Sequence, residues 1–328
     1  MRVAIVDLGT NTCRLFLAAV ADGGAVDTAD RVTTVVRLGQ GVDRTGRLHP
    51  DAVARTRACI AGYAPRLEAY GPARRLLVAT SVLRDAADGR EFLEALEREF
   101  ALPWRVLGGE EEGALAFRGG TSWLAAPSGV VDAGPGGGSG AAPDPLLLVD
   151  IGGGSTEFAI GSAGQAPAFV RSLDVGVVRL TERFFAGDPP ATAEVAALSD
   201  HVAAAIARGV PADLRAAAGG AVGVAGTFTT LVAHKLGLRE YDARLVQGHV
   251  LTLADIDAAV ALFARLTSAE RGRLPGIQPG REDVILAGAL IAREACAAFG
   301  LDAACVSEAD ILEGAALALA EGSLGPAA

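Results

Sequence analysis

The chain has 328 residues, 51% of them hydrophobic, and a mean hydropathy of +0.35, which excludes a disordered chain and suffices for about two domains of ~150 residues each. Its longest apolar stretches, such as Leu15 to Ala21, fall well short of the roughly 20 residues that a membrane-spanning helix needs. The net charge of −10, from 39 acidic and 29 basic residues, disfavours nonspecific nucleic-acid binding and requires any polyanionic ligand to meet a local concentration of positive charge.

In chain order, Val3 to Val6 reads as a buried strand ending in Asp7, with a turn at Leu8-Gly9-Thr10-Asn11-Thr12 and a second β-rich run from Cys13 to Val20. An acidic residue this early, with no cleavage-site pattern, argues against a signal peptide, and the expected location is the cytoplasm. Asp51 to Tyr70 has helical periodicity, Arg75 to Ala79 is a short apolar strand, and Gly89 to Phe100 is an amphipathic helix. Arg84 sits just past a strand end, where it either clamps a phosphate or pairs with Asp85 or Asp88. After the apolar strand at Trp104 to Leu107 and the pair Gly108-Gly109, the run Glu110-Glu111-Glu112 starts a helix through Phe117. Acidic residues suit a first helical turn through the macrodipole; the functional alternative is a general base for water.

Residues 126–145, rich in Gly and Pro, read as a surface insertion, since no helix follows to make a phosphate loop of them. The run Leu146 to Val149, then Asp150-Ile151-Gly152-Gly153-Gly154-Ser155-Thr156 and Glu157 to Ile160, repeats the opening motif, with its aspartate 143 positions after Asp7. Each copy predicts a β-hairpin with an acidic tip. Ala221 to Thr230 is a third apolar strand ending in glycine and hydroxyls, and it precedes a helix at Leu231 to Leu236. Glu282 to Ala320 reads as two helices around a short strand near Ala304 to Ser307, and the strand–helix alternation indicates an α/β architecture.

An Asp at a strand end beside a Gly- and hydroxyl-rich turn puts a carboxylate next to clustered backbone N–H groups, the makings of an anion-binding nest. Asp7, Asp150 and Glu157 form a candidate carboxylate set for magnesium held through water. Ordinary turn chemistry is the competing account of one such motif, but two copies and the Gly223 to Thr230 segment disfavour it. Only Lys235 is lysine, so phosphate contacts must come from guanidinium groups and backbone amides. Cys13, Cys59, Cys296 and Cys305 are scattered, suggesting small buried hydrophobes and neither a zinc site nor a disulfide framework. The four histidines lack ligand spacing, and only His249 stands as a weak candidate.

The strings Asp7-Leu8-Gly9-Thr10-Asn11-Thr12, Ala79-Thr80-Ser81-Val82-Leu83-Arg84, Gly108-Gly109-Glu110-Glu111-Glu112, Val149 to Glu157 and Gly223-Val224-Ala225-Gly226-Thr227 resemble, in order, the motifs of the Ppx/GppA exopolyphosphatase and guanosine pentaphosphate phosphohydrolase family. The resemblance implies an α/β fold of two ribonuclease H-like lobes of the actin-like ATPase (sugar kinase/chaperone/actin) superfamily with an interdomain cleft. Lobe I would span 1–122 plus about 306–328, and lobe II 123–305. The implied activity is magnesium-assisted hydrolysis of the terminal phosphate of inorganic polyphosphate or of pppGpp. Glu112 would be the base for water, with Glu111 as the alternative in register; Arg84 would contact phosphate, and Asp150 and Glu157 would position metal or water. Gly9, Thr10, Asn11 and Thr12 and Gly152, Gly153, Gly154, Ser155 and Thr156 would be the phosphate loops, joined by Gly226 and Thr227. Arg84, Arg14, Arg118 and Arg179 would supply a local positive track, so activity is expected to fall at high salt.

The first loop is Gly-Thr-Asn-Thr where the family commonly has Gly-Ser-Asn-Ser, which keeps the hydroxyls, and Cys13 replaces a larger apolar residue. Longer relatives carry further helical domains, so short polyphosphate is the expected substrate of this chain. A homodimer is among the expectations, as relatives often dimerise. The competing classes are a kinase or ATPase of the same superfold, betrayed by ATP turnover alone, and a catalytically weak polyphosphate- or alarmone-binding regulator.

Overall fold

A computed structural model describes residues 1–125 and 143–327, so most of the Gly/Pro-rich segment expected at 126–145 lies outside the described residues. The chain divides into two compact units, one made of Met1–Leu115 with Ile311–Ala328 and the other of Ala116–Asp310.

The first unit is built on five strands, β1 (Arg2–Leu8), β2 (Thr12–Val20), β3 (Val26–Val35), β4 (Arg74–Ala79) and β5 (Trp104–Val106), in the order β3-β2-β1-β4-β5. β1 pairs antiparallel with β2 and parallel with β4, so it is central. That position explains its sequence: Val3 to Leu8 is buried without interruption, as a strand covered on both faces must be. The helix Pro50–Tyr70 starts with the His49 ring accepting from the Asp51 amide at 3.2 Å and stops at Gly71, whose left-handed φ of 58° a side chain would disfavour. The helix Gly89–Phe100 buries Phe92, Leu93 and Leu96, each contributing about 1.5–3 kcal/mol by leaving water, while its charged residues stay largely outside. The helix Ile311–Glu321 returns to this unit and is anchored there by side-chain contacts. Arg74 donates to the Leu319 carbonyl at 2.7 Å, and Arg31 pairs with Glu313 at 2.9 Å.

The second unit has six strands, β6 (Leu146–Ile151), β7 (Thr156–Gly161), β8 (Phe169–Leu173), β9 (Gly220–Val224), β10 (Val250–Thr252) and β11 (Ala303–Val306), in the order β10-β11-β9-β6-β7-β8. β6 pairs antiparallel with β7 and parallel with β9, which pairs parallel with β11. With β10 set aside, this is the order of the first sheet over again: an antiparallel meander of three strands, then two parallel strands beside its first. The sequence repeat at Asp7 and Asp150 is therefore a repeat of topology. Two such lobes are the architecture of the actin-like ATPase superfamily. The helix Ile285–Phe299, rich in Ala, Leu and Ile, runs almost wholly buried through the core of this unit. Among the described residues no helix is long and apolar enough to cross a membrane.

Candidate active site

In the first unit, the turn between β1 and β2 is closed by the Gly9 amide donating to the Thr12 carbonyl at 2.9 Å. The Thr10 carbonyl accepts from the Gly39 amide at 2.8 Å, and the Asn11 carbonyl accepts from Val36 and Arg37, both at 2.9 Å. In a planar trans peptide, C=O and the following N–H point in opposite directions. With those carbonyls turned toward residues 36–39, the amides of Asn11 and Thr12 face the other way, as an anion-binding nest requires. The buried Thr10 hydroxyl meets that of Ser81 at 3.0 Å, tying the turn to the helix Ser81–Asp85.

That short helix carries Arg84, whose partner is neither Asp85 nor Asp88 of the simple surface pair. Its guanidinium donates to the Leu107 carbonyl at 2.6 Å and to Glu112 Oε2 at 3.1 Å. Glu112 lies in the first turn of the helix Gly109–Thr121, 8% exposed, with its amide bonded to the Gly108 carbonyl at 2.8 Å. Glu111 faces elsewhere, pairing with Arg105 at 2.8 Å with about a third of its side chain exposed. Of the two adjacent glutamates, the one beside Arg84 is thus Glu112, a carboxylate partly withdrawn from water and held by a cation.

The second unit repeats the turn. The Gly152 amide donates to the Ser155 carbonyl at 3.0 Å, matching the bond from Gly9 to Thr12. The Gly152 and Gly153 carbonyls accept from the Val177 and Val178 amides at 3.0 and 2.9 Å, and the Gly154 carbonyl accepts from Arg179 Nε at 2.9 Å. By the same peptide geometry the amides of Gly153, Gly154 and Ser155 point away from the helix Val177–Phe184. The Thr156 hydroxyl donates to the Val175 carbonyl at 2.5 Å, fixing the start of β7. Arg179 thereby braces the loop backbone, and Arg118 lies half-buried on the helix Gly109–Thr121.

This cradle needs a glycine behind it. A Cβ at Gly176 would stand 2.3 Å from the Gly154 carbonyl carbon and 2.4 Å from the Gly153 oxygen, both backbone atoms that cannot swing aside. Gly176→Ala is expected to weaken phosphate binding, raising KM about tenfold or more with a destabilisation of about 1–3 kcal/mol from overpacking. Thermal melting and steady-state phosphate release check this together, and an unchanged KM would show that the loop tolerates displacement.

The two hairpins differ in charge. Opposite Asp7 in the register stands Arg14, whose Nε and Nη2 reach Asp7 Oδ2 at 2.7 and 2.6 Å. Opposite Asp150 stands Glu157, 1% exposed, whose Oε1 accepts the Ser172 hydroxyl at 2.7 Å. Arg14 therefore pairs with the first carboxylate, and the second hairpin places two buried carboxylates side by side. Like charges there favour a cation between them. Among the described residues no three or more His, Cys, Asp or Glu side chains gather at metal-binding range. The donor set suits magnesium, which is commonly held by one or two carboxylates, with water and substrate phosphate completing the shell.

Gly226 and Thr227 do not lie on a loop. β9 passes directly into the helix Ala225–Lys235 through Ala225, whose φ is 65°, so both residues occupy the first helical turn. Gly226 is covered by the Arg281 guanidinium, which a Cβ would meet at 1.7 Å, and Thr227 is buried against Gly288. His249 is half-buried, and burial, with Lys235 nearby, lowers its pKa.

The Ppx/GppA phosphatase family model matches residues 17–141 and 141–321 of the chain. Exopolyphosphatase 2 of Mycobacterium tuberculosis is 38% identical over 336 residues, covering 97% of this chain and 98% of its own length. An exopolyphosphatase-like protein of known crystal structure is 32% identical with a TM-score of 0.85, over 99% of this chain and 100% of its own. The Aquifex aeolicus Ppx/GppA family member is 31% identical with a TM-score of 0.76, over 99% of both chains.

Proposed function

The chain belongs to the Ppx/GppA phosphatase family, and from that premise we propose that it is a cytoplasmic exopolyphosphatase in which Glu112 activates water against the terminal phosphate of inorganic polyphosphate. The activity class, hydrolysis of a phosphoric anhydride, comes with the family and its exopolyphosphatase relatives. The observation that carries the assignment of the base is the contact between Arg84 and Glu112, which puts a held carboxylate next to a guanidinium able to donate to a phosphate oxygen.

Phosphoryl transfer makes little covalent demand on a protein; positioning and charge stabilisation do most of the work. The amides of Asn11 and Thr12, and those of Gly153, Gly154 and Ser155, bind phosphate oxygens without themselves needing a charge. Arg84 offsets charge on the phosphoryl group and orients Glu112. Glu112 takes a proton from water as its oxygen bonds to the terminal phosphorus, while the bridging P–O bond breaks and its electrons remain on the shortened chain. Orthophosphate and a polyphosphate one unit shorter result. Asp150 and Glu157 would hold magnesium, which when bound supplies Lewis-acid neutralisation of phosphate oxygens.

The test is release of orthophosphate from polyphosphate of defined lengths, from pppGpp and from ATP, with magnesium and with a chelator. Magnesium-dependent release from polyphosphate, favouring short chains and well above that from ATP, is the expected outcome. Turnover of ATP alone would instead assign a kinase or ATPase of the same superfold.

A further inference from the structure

The repeat of topology sets matching residues in matching rows across the two sheets. In the first sheet one row runs Val78 on β4, Asp7 on β1, Arg14 on β2 and Thr33 on β3. In the second it runs Val224 on β9, Asp150 on β6, Glu157 on β7 and Ser172 on β8. Residues opposite one another share a sheet face, so the antiparallel pairs in each row are side-chain neighbours, about 4.5–5.5 Å apart at Cβ. The two rows differ most at their third place. Glu157 stands where its counterpart is Arg14, and a hydroxyl residue follows in both.

Ser172 closes the second row on the edge strand β8, half-buried, with its hydroxyl donating to Glu157 Oε1 at 2.7 Å. We propose that Ser172 is a positioning residue for the cation held by Asp150 and Glu157, and that by engaging Glu157 Oε1 it makes the site favour magnesium over calcium. This rests on the function proposed above only in taking the cation site from it. Val224 is apolar and the two carboxylates, when ionised, only accept, so Ser172 supplies the row's one side-chain hydrogen-bond donor. The first row has its own partner for the carboxylate: Arg14 pairs with Asp7 across the strands, and Thr33 is exposed.

The selectivity follows from the number of oxygens that Glu157 can offer. With Oε1 engaged by the serine, a cation is met through Oε2, one oxygen from this carboxylate. Magnesium is small, demands near-octahedral geometry and is usually held by one or two carboxylates among several waters. Calcium takes about six to eight oxygens in a looser shell and accepts both oxygens of one carboxylate. Without the hydroxyl, Oε1 is released and the carboxylate can turn. Magnesium then loses a fixed ligand, while calcium gains access to a second oxygen. Removing a hydrogen bond that orients a metal-ligating side chain typically costs about ten- to a hundredfold in affinity.

The experiment loads the full chain with manganese(II), reads the bound ion by electron paramagnetic resonance, and displaces it with magnesium or calcium. A magnesium titration of phosphate release from polyphosphate runs alongside. Ser172→Ala is expected to weaken magnesium by about tenfold to a hundredfold and calcium by less than about threefold, with the magnesium needed for half-maximal release rising as its affinity falls. Ser172→Thr keeps the hydroxyl and should bind both ions as the unaltered chain does, and thermal melting verifies that each variant folds. Unchanged magnesium affinity in Ser172→Ala overturns the proposal, as does equal weakening of both ions or a Ser172→Thr variant as weak as Ser172→Ala. An unaltered chain that binds no manganese overturns it together with the cation site. The expected shifts in affinity, in a chain that never releases phosphate, overturn the proposed function and leave the role of Ser172 standing.

Discussion

Glu112→Gln is expected to lower turnover by about two orders of magnitude or more while leaving the fold intact, the loss typical of removing a general base. The amide keeps the length and shape of the side chain and can still accept from Arg84, so the first turn of the helix Gly109–Thr121 has no reason to rearrange. What it loses is the capacity to take a proton. Phosphate release under saturating polyphosphate measures the effect, with the melting temperature as a check on folding. Glu111→Gln provides the contrast. Its pairing with Arg105 lies at the surface, where such a pair contributes about 0–1 kcal/mol, and turnover should barely change. If the larger loss followed Glu111→Gln instead, the base would be the neighbour.

Glu157→Gln is expected to reduce turnover by about a hundredfold at fixed magnesium and to shift the magnesium requirement to higher concentration. Glu157 is almost completely buried opposite Asp150, and the substitution removes one of two adjacent negative charges without changing volume. The hydrogen bond from Ser172 can persist on the amide oxygen. The melting temperature of the variant, followed alongside, separates a cation-holding role from a structural one. A magnesium titration of phosphate release decides the matter. An unchanged magnesium dependence with an unchanged rate would take Glu157 out of the site.

The hairpins were legible because a strand buried on both faces leaves an unbroken apolar run, and because Gly and Asp punctuate its end at Asp7-Leu8-Gly9 and Asp150-Ile151-Gly152. The register then places Glu157 opposite Asp150, as the motif suggests. Pairings across long separations were not legible. Arg84 has Asp85 and Asp88 close by in the chain, yet it bonds to Glu112, which a separate strand and turn bring to it. Arg14 reads as one more basic residue until the strand pairing sets it against Asp7. The helix start at Ala225 was hidden by Gly226, Thr227, Thr229 and Thr230, which look like a loop. Only the positive φ of Ala225 lets the strand turn into a helix without one. The bond from the Tyr63 hydroxyl to the Cys13 carbonyl depends on how the helix Pro50–Tyr70 lies on β2, and no local pattern encodes that.

The return of the helix Ile311–Glu321 to the first unit carries a consequence for the order of synthesis. A ribosome completes all of Ala116–Asp310 before this helix exists, so the second unit has its whole sequence available first. Met1–Leu115, although made earliest, lacks until then Glu313 and the Leu319 carbonyl, which Arg31 and Arg74 reach on that helix. The half bearing Glu112 is thus the last to be finished, and a nascent chain interrupted before residue 311 would hold the whole sequence of the second unit but a first unit without this helix.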